Sequence, residues 1–145
     1  MIRVVLDTNV LISALLKPVS VPADILRLIV AGSVTVVHDV RILDEYRTVA
    51  LRPKFAFDVE EIESVLAFIH HAGWSVICTP LVRPLPDVAD GPFLEAALAS
   101  GADTALITDN IRHFPPDLRQ GVPVFTPRDW LDWWRSHSEV TPGGG

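Results

Sequence analysis

A chain of 145 residues, 49% of them hydrophobic and 21% charged, suffices for one core and excludes two ordinary domains. Its single cysteine, Cys78, rules out an internal disulfide scaffold, and no Cys/His spacing gives a zinc site. A net charge of −6 and an isoelectric point near 5.2 exclude a protein that holds nucleic acid through bulk positive charge, though not one that reaches phosphate through bound metal.

The mean hydropathy of +0.34 raises the question of a membrane. The longest uncharged stretch, Ser64 to Val82, is interrupted by His70, His71, Gly73, Ser75, Thr79 and Pro80, and so reads as a helix end, a turn and a buried strand. Only three apolar residues separate Arg3 from Asp7, too few for a secretory leader, and the expected location is the cytoplasm with no membrane association.

Met1 to Leu6 is a β-branched run that predicts a first strand, and TNVLISALL after Asp7 has the apolar spacing of a buried helix. Ser20 and Pro22 open a second helix that Gly32 ends, and Val34 to Val37 predicts the second strand. Asp39 caps a third helix to about Leu51, stopped by Pro53; Asp58 caps a fourth to about Ala72, stopped by Gly73. Trp74 to Cys78 reads as a third strand, and the proline-rich Thr79 to Ala89 as a loop. Pro92 starts an alanine-rich helix that stops at Gly101, Thr104 to Thr108 is a fourth strand, and Pro123 to Phe125 a fifth. Thr126 caps a last helix through about Ser136, and the glycine-rich tail 138–145 is expected to be disordered. Strands alternating with helices predict an α/β protein with a mostly parallel sheet, in which ligands bind beyond the carboxyl ends of the strands.

Four acidic segments fall into place on that frame. Asp7, Thr8 and Asn9 give three oxygen-bearing side chains at the end of the first strand, a pattern a helix cap also satisfies. Glu45 lies at the edge of the buried stripe formed by Ile42, Tyr46 and Val49, where the plain alternative is a salt bridge to Arg41 or Arg52. Asp90 precedes Gly91 and Pro92 at a helix start, and Asp109 and Asn110 follow the fourth strand. Clustered carboxylates repel unless a cation or shared protons hold them, and an all-oxygen set selects a hard divalent ion, Mg²⁺ or Mn²⁺. Metal held in this way usually serves phosphate chemistry.

The segments VVLDTNVLISALL, ILDEY, DVADGPFLEAALASGADTALITDN and RHFP resemble the PIN-domain ribonucleases, and within them the VapC-like toxins of bacterial toxin–antitoxin pairs, in register from about Ile2 to about Trp130. The resemblance implies a PIN-like α/β/α sandwich with a central sheet of four to five strands, occupying residues 1–137. By it, Asp7, Glu45 and Asp90 match acidic positions that carry one or two Mg²⁺ or Mn²⁺ ions, Asn9 a supporting position, and Thr108 one that orients the last ligand. The sequence departs from the family at Thr108-Asp109-Asn110, where Thr-Gly-Asp or Thr-Gly-Asn is usual. Asn110 then takes the fourth ligand position, with Asp109 the competing candidate and Asp87 a weaker one. The resemblance further implies RNA as substrate, hydrolysis to 5′-phosphate and 3′-hydroxyl ends, a protein antitoxin, and a homodimer.

Arg41, Arg47, Arg52, Lys54 and Arg112 flank these segments and are candidates to meet substrate phosphate; His113 can touch substrate or hold a loop. Trp130, Trp133 and Trp134 share one face of the last helix, consistent with packing on the sheet or with an interface. Two other readings stand beside the nuclease. The neutral Asn110 and the low isoelectric point suit a degenerate PIN domain that binds RNA or protein without turnover. An aspartyl nucleophile at Asp7 is disfavoured because Asn9 stands where a second aspartate would be expected.

Overall fold

The computed structural model describes residues 2–101 and 103–138. Residues 139–145 of the expected disordered tail lie outside the described residues. Five strands form one all-parallel sheet in the order β3-β2-β1-β4-β5: β1 (Ile2–Leu6), β2 (Val34–His38), β3 (Trp74–Ser75), β4 (Thr104–Ile107) and β5 (Val124–Phe125). Six helices complete an α/β/α sandwich: α1 (Thr8–Leu16), α2 (Val21–Val30), α3 (Val40–Ala50), α4 (Val59–Ala72), α5 (Gly91–Ser100) and α6 (Pro127–Ser138). Among the described residues, no single helix is long and apolar enough to cross a membrane.

The central position of β1 follows from its composition. Val4, Val5 and Leu6 are at most 1% exposed, so both faces of the strand are covered, as a continuous apolar run in a parallel sheet requires. Val4 pairs with Val36 on one side and Ala105 on the other. Helix α5, apolar through Phe93, Leu94, Ala96 and Ala97, packs across β1, β2 and β4, and α2 packs on β2, α1 and α6.

Short polar residues start the helices. Ser20, Asp39, Asp58 and Thr126 each accept a hydrogen bond from the backbone N–H three residues on, supplying partners that helix ends lack. Gly73 ends α4 where nothing larger fits, because a Cβ there would lie 2.5 Å from the Val36 carbonyl oxygen and closer still to that of Ile69.

The third strand is shorter than its sequence suggests. After Ser75 the N–H of Val76 still donates to His38 O at 3.0 Å, but Ile77 is 96% exposed and the chain turns into the proline-rich loop. An edge strand with one neighbour loses its ladder as soon as that neighbour ends, and β2 stops at His38. Conversely, α6 continues to Ser138, past the expected Ser136. Trp130 is 1% exposed and Trp133 and Trp134 pack against the core, in line with the packing reading of that aromatic face.

Candidate metal-binding active site

Because every strand runs the same way, the chain leaves β1, β2 and β4 at one edge of the sheet, and the acidic segments follow from there. The backbone N–H of Asp7 donates to Ile107 O at 2.9 Å, which locks the end of β1 to β4. Thr108 continues β4 and its hydroxyl donates to Asp7 Oδ2 at 2.7 Å, while accepting from the N–H of Asn110 at 2.9 Å. A single hydroxyl therefore fixes the carboxylate and the turn that carries Asn110.

Helix α3 is fastened to the same place by its neighbour in sequence. Tyr46 is fully buried and its hydroxyl donates to Leu6 O at 2.6 Å, which pins α3 beside the end of β1. Glu45, one residue earlier, is thereby turned toward the start of α1, where its Oε2 accepts a short hydrogen bond from the Thr8 hydroxyl. No ion pair to Arg41 or Arg52 forms: Arg41 is held by Asp39 at 2.7 Å and Glu95 at 2.8 Å.

Asp90 arrives on a short turn, Val88–Asp90, that runs into α5. It makes no capping hydrogen bond, and its carboxylate faces the cleft instead. The residue is 8% exposed, yet Oδ2 is buried with no hydrogen-bond donor. His113 Nδ1 lies 3.0 Å from that oxygen, off the line of a hydrogen bond.

These groups line an open cleft of about 450 Å³. Asp7, Glu45, Asp90, Asn9, Asn110 and His113 all border it. Thr108 stands behind Asp7, whereas Asp109 is exposed and does not line the cleft. Neither Arg41 nor Arg112 borders it. Asp44, Thr48, Arg52 and Asp87 do, and Arg52 has no side-chain ion pair or hydrogen bond among the described residues. Asp44, Thr48 and Arg52 recur at every fourth position, so the helical period was the signal for this wall.

The electrostatics are those of crowded acids. Burial, with the charge of Glu45 adding to it, raises the Asp7 carboxyl above its usual value, against the lowering pull of the Thr108 hydroxyl. Asp90 is pushed up to about 6, first by burial and then by the charge of Asp7. An orphaned buried oxygen among carboxylates that resist ionising together is the condition a divalent cation relieves. The donors are carboxylate and amide oxygens with one imidazole, so the residues present fit a hard or borderline divalent ion. Asp87, Asp90 and His113 bring ligand atoms within 4.8 Å of one another.

An all-parallel α/β/α sandwich with an acidic cleft at the carboxyl ends of its strands is a framework that can hold a divalent ion against a ligand. The family model described as PIN domain matches residues 3–112, and the chain belongs to that family. PIN domains are generally nucleases that use divalent metals. No curated protein matches the chain.

Proposed function

We propose that the protein is a Mg²⁺- or Mn²⁺-dependent endoribonuclease. The observation that carries this reading is the convergence of Asp7, Glu45 and Asp90 on one cleft, with a buried Asp90 oxygen left without a donor. Asp7, Glu45, Asp90 and Asn110 would hold the ion, which supplies an acidified water and charge stabilisation at phosphorus. Asp109 is exposed and does not line the cleft, which favours Asn110 as the fourth oxygen.

The chain's own residues do the positioning. Thr108 holds Asp7 in one rotamer, Thr8 holds Glu45, and Tyr46 ties the two elements together. Arg52, at the far end of the α3 wall, offers a fixed positive charge to a phosphate flanking the one that is cut. It stands two residues beyond the end of α3, on the same cleft wall as Asp44 and Thr48.

In this reading the protein is a VapC-like toxin, acting in the cytoplasm as a homodimer and silenced by a protein antitoxin. Exposed Val82 (89%) and Val88 (78%), on either side of Asp87 in the chain, support a protein partner near that segment. The deciding experiment is Mn²⁺ calorimetry and incubation with a mixed RNA pool, for wild type and Glu45→Gln. Metal-dependent cleavage to 5′-phosphate and 3′-hydroxyl ends by wild type, lost in the variant, supports the reading. Equal cleavage by both refutes the site, and metal binding without cleavage of any RNA favours the degenerate binding module that Asn110 suggests.

A further inference from the structure

Asp87, Asp90 and His113 form a group distinct from the wall made by Asp7 and Glu45. The turn Val88–Asp90 fixes both aspartates: Asp90 N donates to Asp87 O at 3.1 Å, and Ala89 N to Asp87 Oδ1 at 3.0 Å. His113 closes a second turn, with its N–H on Asn110 O at 2.9 Å and fully buried Phe114 anchoring the next position. Backbone and core thus set the two turns, and they bring His113 Nδ1 to 3.0 Å from Asp90 Oδ2.

Their spacing suits ligands of one ion as well as an ion pair, and the orientation favours the ligand arrangement. An aligned N–H would satisfy the buried Asp90 Oδ2, but the 3.0 Å approach of His113 Nδ1 is off-line and leaves that oxygen without a donor. Two donors on adjacent corners of an octahedral ion, each at about 2.1 Å, are about 3.0 Å apart. The three ligand atoms fall within 4.8 Å of one another, close enough for small side-chain rotations to bring them onto one ion.

We propose that Asp87, Asp90 and His113 form a second divalent-cation position on the cleft, with an imidazole nitrogen among its ligands, and that it takes Mn²⁺ in preference to Mg²⁺. The nitrogen sets the preference: Mg²⁺ demands oxygen and retains its water, whereas imidazole suits later, more polarisable divalent ions. Asp90 would be shared between this position and the one at Asp7 and Glu45, so the chain replaces the missing fourth carboxylate at Asn110 with a ligand from the following turn. The inference rests on reading the cleft as a divalent-ion site.

The test is electron spin-echo envelope modulation of Mn²⁺ bound to the full chain, with circular dichroism to verify folding of each variant. Wild type is expected to show an imidazole nitrogen coupling that disappears in His113→Gln and weakens in Asp87→Asn, and that persists in His70→Gln on α4. Mn²⁺ that binds with oxygen ligands alone, or a nitrogen coupling that survives His113→Gln, overturns the proposal and leaves the cleft reading standing. Failure of wild type to bind Mn²⁺ overturns both.

Discussion

Replacing Asp90 by asparagine should stabilise the metal-free protein while abolishing its response to metal. Burial and the charge of Asp7 hold the Asp90 carboxyl at about 6 against an ordinary 3.8. The folded state therefore binds that proton more tightly than the unfolded chain does. The associated stability is complete below about pH 4 and is lost as the pH rises through about 6. A displacement of about two pH units is worth about 3 kcal/mol, and solvent in the open cleft reduces it to about 1–2 kcal/mol. At pH 8 in EDTA, Asp90→Asn should melt about 3–6 °C above wild type, and at pH 4 the two should coincide. Saturating Mn²⁺ should reverse the order by raising only the wild type, by about 2.7 kcal/mol at a hundredfold excess over Kd. Thermal melts at the two pH values, with and without Mn²⁺, measure all three quantities. An Asp90→Asn protein less stable than wild type at pH 8 in EDTA would refute the argument, because the carboxylate would then be a net structural asset.

Three other substitutions probe separate parts of the site and fold. Thr108→Val removes the hydroxyl that donates to Asp7 and accepts from Asn110, a loss of about 1.5–3 kcal/mol of carboxylate stabilisation, and calorimetry should show Mn²⁺ affinity lowered about tenfold. Arg52→Ala should raise KM with little change in kcat and lower the salt dependence of RNA binding by about one charge; unchanged salt dependence removes Arg52 from the substrate path. Gly73→Ala forces a methyl against two backbone carbonyls and should cost about 3 kcal/mol in urea denaturation, with the metal site unaffected.

Residues whose role is local were the most legible in the sequence. Ser20, Asp39, Asp58 and Thr126 start helices through bonds to backbone three positions on, which sequence spacing displays directly. Likewise the apolar run of β1 announced a strand covered on both faces. Partners distant in sequence were not legible. Nothing near Glu45 marks Thr8 as its hydrogen-bond donor, and the nearby arginines invited a salt bridge that does not form. The extent of β3 depended on where β2 ended, a property of its neighbour rather than of the segment from Trp74 to Cys78. Register favoured Asn110 and charge favoured Asp109, and only the turn that the Thr108 hydroxyl fixes shows that Asn110 borders the cleft while Asp109 does not. Asp87 and His113 belong together only because two turns, far apart in sequence, meet at one sheet edge.

The order β3-β2-β1-β4-β5 also bears on the protein's synthesis. The first three strands to leave the ribosome, β1, β2 and β3, form one side of the sheet and bring with them Asp7 and Glu45, but β1 still lacks the neighbour that covers its other edge. Until β4 has been translated and inserted beside β1, Asp7 has neither the Ile107 carbonyl for its N–H nor the Thr108 hydroxyl for its carboxylate. Asp90 emerges one helix before β4, and His113 just after it. A nascent chain thus carries part of an acidic cleft, and the complete cleft forms only once β4 and the turn after it have been made and folded onto β1.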